Sequence, residues 1–328
     1  MGSAAIPGFV DLQVNGAHGI DFSAEGLTID RCLATFDLIR DSGTAVFTPT
    51  LITSPEDRLL RNLEIVAAAA AAYDDPGAVA GIHLEGPFLD STTGAIGAHN
   101  PEWVIAPDVV VFDRLQAAAR GTIRILTVSA GRPGVEELIA HAASAGVAVS
   151  LGHQMAGYEA VRRAADAGAA LLTHLGNGLP HEVNRHENAL LAGLAEQRLD
   201  AMLITDGHHL PADLVRLILA AKGVEHTIVV SDASPVAGLP AGRHRTLGTE
   251  VEVTADGLVV NPQTGYLAGS GRMMRECMDW LAGLGFLAYE DLLTVGVRNP
   301  ARVLGIDPQR MTGPGLRYDE SARRFASA

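Results

Sequence analysis

Eight short, predominantly apolar runs recur along the first 232 residues of this chain, at 6–14, 45–52, 79–85, 123–128, 147–152, 169–174, 201–205 and 227–232. Stretches with helical spacing fall between them, at 29–42, 55–73, 108–120, 134–145, 156–167, 187–197 and 211–222. Strands buried on both faces read as near-continuous apolar runs, and parallel strands need a crossover that a helix supplies. Eight such units favour an α/β fold closed into a (β/α)8 TIM-like barrel over an open doubly wound sheet. The open-sheet alternative is weakened further because no GxGxxG follows the first run and no P-loop is present. The barrel is expected to occupy 6–240. The rhythm then changes. Runs at 244–253 and 257–260 flank the turn signal ADG and suggest a hairpin or small β appendage over 241–266. Helical patterns return at 271–284, 289–296 and 298–306, in a segment (267–316) expected to pack on the barrel, and the polar stretch 317–328 is expected to fray.

Charge and cysteine usage narrow the partners. The net charge of −14 argues against nucleic acid and anionic membrane surfaces, although a local pocket could still take an anionic small molecule. Cys32 and Cys277 are isolated in sequence, so both are read as small buried hydrophobes in a reducing, cytoplasmic compartment. No apolar run approaches the roughly 18–20 residues of a membrane span, and MGSAAIPGF lacks the charged and hydrophobic regions of a signal peptide.

Four of the strand-like runs end in side chains that bind metals or move protons: Glu85 in GIHLEGP, His153 in VSLGH, His174 in LLTHLGNGLP and Asp232 in IVVSDA. A (β/α)8 barrel builds its active site at those C-terminal strand ends. Each residue alone has a plainer reading: a solvated loop glutamate, a structural histidine, an aspartate in good turn chemistry. Four together outweigh those readings. Two imidazoles and a carboxylate suit one divalent ion with an open position, zinc first, with iron, cobalt or manganese compatible with the same donors. Adjacent strands lie about 4.8 Å apart, so the imidazoles of His153 and His174 can reach one ion. Asp232 could then serve as the base for water attack. His83 alternates with Glu85 and is read as a core or supporting histidine. His99 sits in the glycine-rich loop GAHNP, and His209 in TDGHHL after the seventh run. His181, His186 and His208 are read as surface residues. Arg185 could clamp a phosphate, although a lone arginine is more often a solvated charge.

At these residues the chain resembles the N-acetylglucosamine-6-phosphate deacetylases, a branch of the amidohydrolase superfamily. The likeness runs from PGFVDLQVNG (7–16) to NPARVLGI (299–306), through HLEGP, HNP, LGH, THLxN, DGxH, SDA and LAGS in that order. It implies that Glu85, His153 and His174 hold the metal, and that Asp232 is the general acid/base. It implies that His99 polarises the amide carbonyl. Gln13 and Asn15 stand where many amidohydrolases carry His-x-His, which implies one metal and places both near the substrate. Asn177 and Gly178 match the sugar-contacting loop, and His209 and Arg185 match substrate residues. The arginine reaches the phosphate from a neighbouring subunit, which implies a homodimer.

The chain departs from the family in its substrate loop, where THLxNAM has become THLGNGLP, and at Ile96, where a lysine is usual. Of the family's small β-sandwich only 241–266 is expected to be represented here. The leading expectation is therefore metal-dependent hydrolysis of an N-acetyl amino sugar, with N-acetylglucosamine 6-phosphate as the first substrate to consider. An amidohydrolase acting on another N-acyl substrate, or a non-catalytic paralogue, are the alternatives.

Overall fold

A computed structural model describes residues 5–328. Eight parallel strands form one sheet in sequence order: β1 (Phe9–Val14), β2 (Thr44–Ile52), β3 (Ile82–Glu85), β4 (Ile123–Val128), β5 (Ala148–Leu151), β6 (Ala169–Leu172), β7 (Asp200–Ile204) and β8 (Thr227–Val230). The sheet closes where Val14 and Ala233 form a parallel bridge and Asn15 N–H donates to the Ala233 carbonyl at 2.9 Å. The result is the expected (β/α)8 barrel.

Helices α1 (Ile29–Asp41), α2 (Glu56–Ala72), α3 (Val109–Ala118), α4 (Val135–Ser144), α5 (Tyr158–Asp166), α6 (Ala189–Ala195) and α7 (Ala212–Lys222) supply the crossovers. Several begin where a short polar side chain satisfies an otherwise unpaired N–H. Thr28 caps α1, Asp108 caps α3 and Asn188 caps α6. Strands β1 and β2 are buried at every position, as sequences covered on both faces must be. Cys32 and Cys277 are free and buried.

The appendage differs in detail from the sequence pattern. The run 244–253 is not one strand but a hairpin, β9 (Gly242–Thr246) and β10 (Thr249–Val253), with β11 (Val259–Val260) added antiparallel. Its turn falls at Leu247–Gly248, where both residues take positive φ, so the apolar Leu247 hid the break. A small cluster of Val236, Val251, Val253, Val259 and Ala268 packs beneath it.

The tail does not fray. Residues 316–319 (β12) pair with 324–327 (β13), and Phe325 packs edge-on against Phe9 with ring centroids 4.8 Å apart. One buried aromatic in a polar stretch anchors the segment. Helix α8 (Met274–Gly283) contributes Met274, Cys277 and Met278 to the same core. Among the described residues, no helix is long and apolar enough to cross a membrane.

Candidate active site

Residues just beyond the strand ends must turn their side chains into the barrel mouth, and the backbone is bent to do so. His153 (φ 49°), His174 (φ 31°) and Asp232 (φ 48°) are three of the seven non-glycine residues with positive φ among those described. That conformation costs an L-residue about 1–2 kcal/mol, and such strain gathers at functional sites.

The side chains so aimed converge. Glu85 Oε1, His153 Nε2 and His174 Nε2 form a triangle whose three edges are each 3.1 Å. Ligand atoms bonded to a tetrahedral zinc at about 2.0–2.1 Å stand about 3.3–3.4 Å apart, so the triangle fits one ion. The tautomer of His153 fits too. Its Nδ1–H donates to the Ala95 carbonyl at 2.8 Å, which leaves the Nε2 lone pair facing the triangle.

A looser group within 4.8 Å joins Glu85 and His153 to His99 rather than His174. His174 closes the tighter set, with its Nε2 3.1 Å from both Glu85 Oε1 and His153 Nε2. His99 is held by Thr53, whose N–H lies 3.3 Å and whose hydroxyl lies 3.0 Å from its Nδ1, and its Nε2 stands 3.8 Å from Glu85 Oε2.

The electrostatics support this division. Burial, and then the neighbouring His153, pull the His99 pKa down to about 3, so the ring is neutral. Burial works against charge on Glu85, yet His153 and His174 beside it hold its carboxyl well below the usual range. For His153 burial pulls the pKa down, but Glu85 more than offsets it and the net shift is upward. The triangle is thus a place that favours positive charge.

Asp232 is buried beside it, and burial followed by the charge of Glu85 raises its pKa to about 6. Its Oδ1 accepts from Asn15 Nδ2 at 2.7 Å and from Gln13 Nε2 at 3.0 Å, and the same Gln13 nitrogen donates to Glu85 Oε1 at 3.0 Å. Below this level the barrel interior holds a directed hydrogen-bond chain. His83 Nδ1–H donates to the Leu12 carbonyl at 2.9 Å, so its Nε2 accepts from Thr127 at 2.8 Å, and Thr127 accepts from Thr173 at 2.8 Å. His83 is the supporting histidine of the sequence reading, and burial keeps it neutral by lowering its pKa to about 4.

One cavity of about 620 Å³ opens onto the triangle. It is lined by Asn15, Glu85, His99, His153, His174, Asn177, Gly178, Arg185, His209 and Asp232, every candidate from the sequence except Gln13. Gln13, expected near the substrate, is fully buried, bridges two carboxylates and does not line the cavity. His181 is exposed, as expected, and on the cavity rim its ring stacks on Tyr266 of the appendage, with centroids 4.9 Å apart.

Asp206 was missed. Its carboxylate receives His209 Nδ1–H at 2.8 Å and the backbone N–H groups of His208 and His209 at 2.9 Å, which turns His209 Nε2 away from it. The DGHH spacing carried that signal, since an aspartate commonly bonds the backbone two residues on.

Known proteins share this architecture. The chain is 30% identical to the N-acetylglucosamine-6-phosphate deacetylase of Bacillus subtilis, covering 93% of this chain and 76% of that protein. It is also 30% identical to an N-acetylgalactosamine-6-phosphate deacetylase of Escherichia coli O157:H7, covering 92% and 78%. The chain belongs to the N-acetylglucosamine-6-phosphate deacetylase family. It is an enzyme of the amidohydrolase superfamily. A mutant deacetylase of Mycobacterium smegmatis, solved with N-acetyl-D-glucosamine 6-phosphate, superimposes with a TM-score of 0.87 at 30% identity, over 98% of this chain and 84% of that one. No family model matches the chain.

Proposed function

We propose that this deacetylase removes the N-acetyl group of N-acetylglucosamine 6-phosphate, giving glucosamine 6-phosphate and acetate. The observation that carries this reading is the pairing of a metal-fitting triangle with a buried aspartate of raised proton affinity in one cavity. A single divalent ion held by Glu85, His153 and His174, zinc or another ion of similar donor preference, would polarise the amide carbonyl and acidify the attacking water. Asp232 takes the proton that water loses as its oxygen bonds to the acetyl carbon. As the C–N bond breaks, Asp232 returns that proton to the departing nitrogen. His99 Nε2–H donates to the carbonyl oxygen as negative charge grows there. Gln13 and Asn15 hold the Asp232 carboxylate in place throughout. Asn177, Gly178 and His209 line the sugar side. Arg185 is exposed, with no acidic partner among the described residues, and suits a phosphate bound by a second copy in a homodimer. The two free cysteines suit the cytosol.

The match to an N-acetylgalactosamine-6-phosphate deacetylase favours the C4 epimer as a second reading. The test is acetate release from the two epimeric 6-phosphates and from unphosphorylated N-acetylglucosamine, with zinc-loaded protein and Asp232→Asn as control. Release from the gluco 6-phosphate, abolished by Asp232→Asn, supports the first reading. A preference for the galacto 6-phosphate selects the second. Release from neither, with zinc bound, overturns both.

A further inference from the structure

Asp11 takes no part in the chemistry above, yet it is a carboxylate sealed inside the barrel with no exposure to solvent. Its Oδ2 accepts the Ser231 hydroxyl at 2.5 Å. Its Oδ1 accepts the backbone N–H of Ser231 at 3.1 Å and that of Gln13 at 3.3 Å. Ser231 Oγ in turn accepts the Ala233 N–H at 3.0 Å. One carboxylate therefore grips both sides of the seam where β1 meets β8. On one side it fixes the residues flanking Asp232. On the other it fixes Gln13, whose side chain bridges Asp232 and Glu85.

A charge is a costly way to satisfy these donors. Burial pushes the Asp11 pKa up to about 7 against the help of its hydrogen bonds, and Asp232 adds repulsion. An asparagine could accept both backbone N–H groups without that penalty. What the carboxylate adds is a second acceptor oxygen, which binds the Ser231 hydroxyl strongly and fixes its orientation. Ser231 is then held so that its oxygen faces the Ala233 N–H, across the turn in which Asp232 takes its left-handed φ of 48°.

We propose that Asp11 is a positioning residue for the hydrolysis: through Ser231 and Gln13 it locks the turn that carries Asp232, so that the Asp232 carboxylate is held in place for proton transfer. The inference rests on the reading of Asp232 as the proton carrier. Asp11 does not touch the reacting atoms. Its effect should appear in the chemical step and not in substrate or metal binding, because neither the cavity wall nor the triangle contains it.

Asp11→Asn and Ser231→Ala, each loaded with zinc, would be assayed for kcat, KM, zinc content and urea midpoint at pH 8. The expected result is a fall in kcat of about ten- to hundredfold in both, the scale of a misplaced catalytic group. KM should stay within about twofold and zinc content should be unchanged. The urea midpoint of Asp11→Asn should equal or exceed that of the parent. A purely structural aspartate predicts the opposite pairing, with stability lost and kcat kept. Unchanged kcat in both variants, or kcat falling only in step with zinc content or stability, would overturn the proposal. Asp232→Asn run beside them separates the two levels. If it stays active, the proton-carrier reading falls and takes the inference with it. If it is inactive while the Asp11 and Ser231 variants match the parent, only the inference falls.

Discussion

Gly97→Ala probes the clasp around the metal-fitting triangle. Gly97 has φ +59°, and an added Cβ would stand 3.0 Å from His153 Cε1 and 3.4 Å from its Nδ1. The ring has little room to retreat. Its Nδ1–H is tied to Ala95, and the rings of His99 and His174 meet it edge-on with centroids 4.4 and 4.8 Å away. Two effects should add. Left-handed alanine costs about 1–2 kcal/mol of stability. Displacing His153 by a few tenths of an ångström should weaken zinc binding about 10- to 100-fold, the usual scale for disturbing the groups that orient a ligand. Gly121→Ala is the control, with φ +77° and nothing within 4 Å of the added carbon. It should lose similar stability and no affinity. Urea unfolding gives the first quantity, and competition with a chromogenic chelator gives the second. If Gly97→Ala binds zinc within about twofold of the parent while both variants lose the same stability, His153 is not a constrained ligand and the argument from the triangle fails.

Adding zinc to chelator-treated protein should raise the unfolding free energy by about 4 kcal/mol at a thousandfold excess over Kd, read as a higher thermal midpoint; no shift would count against the site. Phe325→Ala should cost about 3 kcal/mol in urea, the loss expected of a buried aromatic, whereas a frayed tail would lose under about 0.5. Asp11 has a folded-state pKa raised to about 7, so its stabilising contribution is full below the unfolded value of 3.8 and is lost as pH rises through about 7. The stability of Asp11→Asn relative to the parent should therefore grow between pH 4 and pH 8, and a pH-independent gap in urea midpoints would show that Asp11 does not titrate there.

The eight strands and seven crossover helices were legible because buried parallel strands leave unbroken apolar runs that few other structures produce. The convergence of Glu85, His153, His174 and Asp232 was legible for a related reason: each has a plainer reading alone, but four such residues ending four such runs outweigh it. What stayed hidden depends on contacts distant in sequence. The resemblance places Gln13 near the substrate, but its bridge between Asp232 and Glu85 shows only when those two residues, from distant parts of the sequence, are placed beside it. His181 is exposed, as its surroundings in the sequence suggest; only its stacking on Tyr266, 85 positions away in the appendage, was out of reach. The segment 316–327 is anchored by Leu316 and Phe325, and the role of Phe325 shows only once it is placed against Phe9, 316 positions away.

Gln13 and Asp206 lie where the strain gathers, whereas Phe325 packs on Phe9 at the opposite end of the barrel. His153, His174 and Asp232 are left-handed, Asp11 is a buried charge, and the Gln13 Oε1, Asn15 Oδ1 and His174 Nδ1 atoms are buried with no hydrogen-bond partner. Each breaks a local rule, and a sequence reading built on local rules is weakest where function overrides them. The electrostatics give the violations a common direction. Glu85 and Asp232 are two buried carboxylates that repel, bridged by a single amide nitrogen of Gln13. Positive charge at the triangle relieves that repulsion and lowers the proton affinity of Asp232. An ion held at the triangle would therefore also keep Asp232 deprotonated, so removing metal should shift the acid–base behaviour of Asp232 as well as abolish turnover.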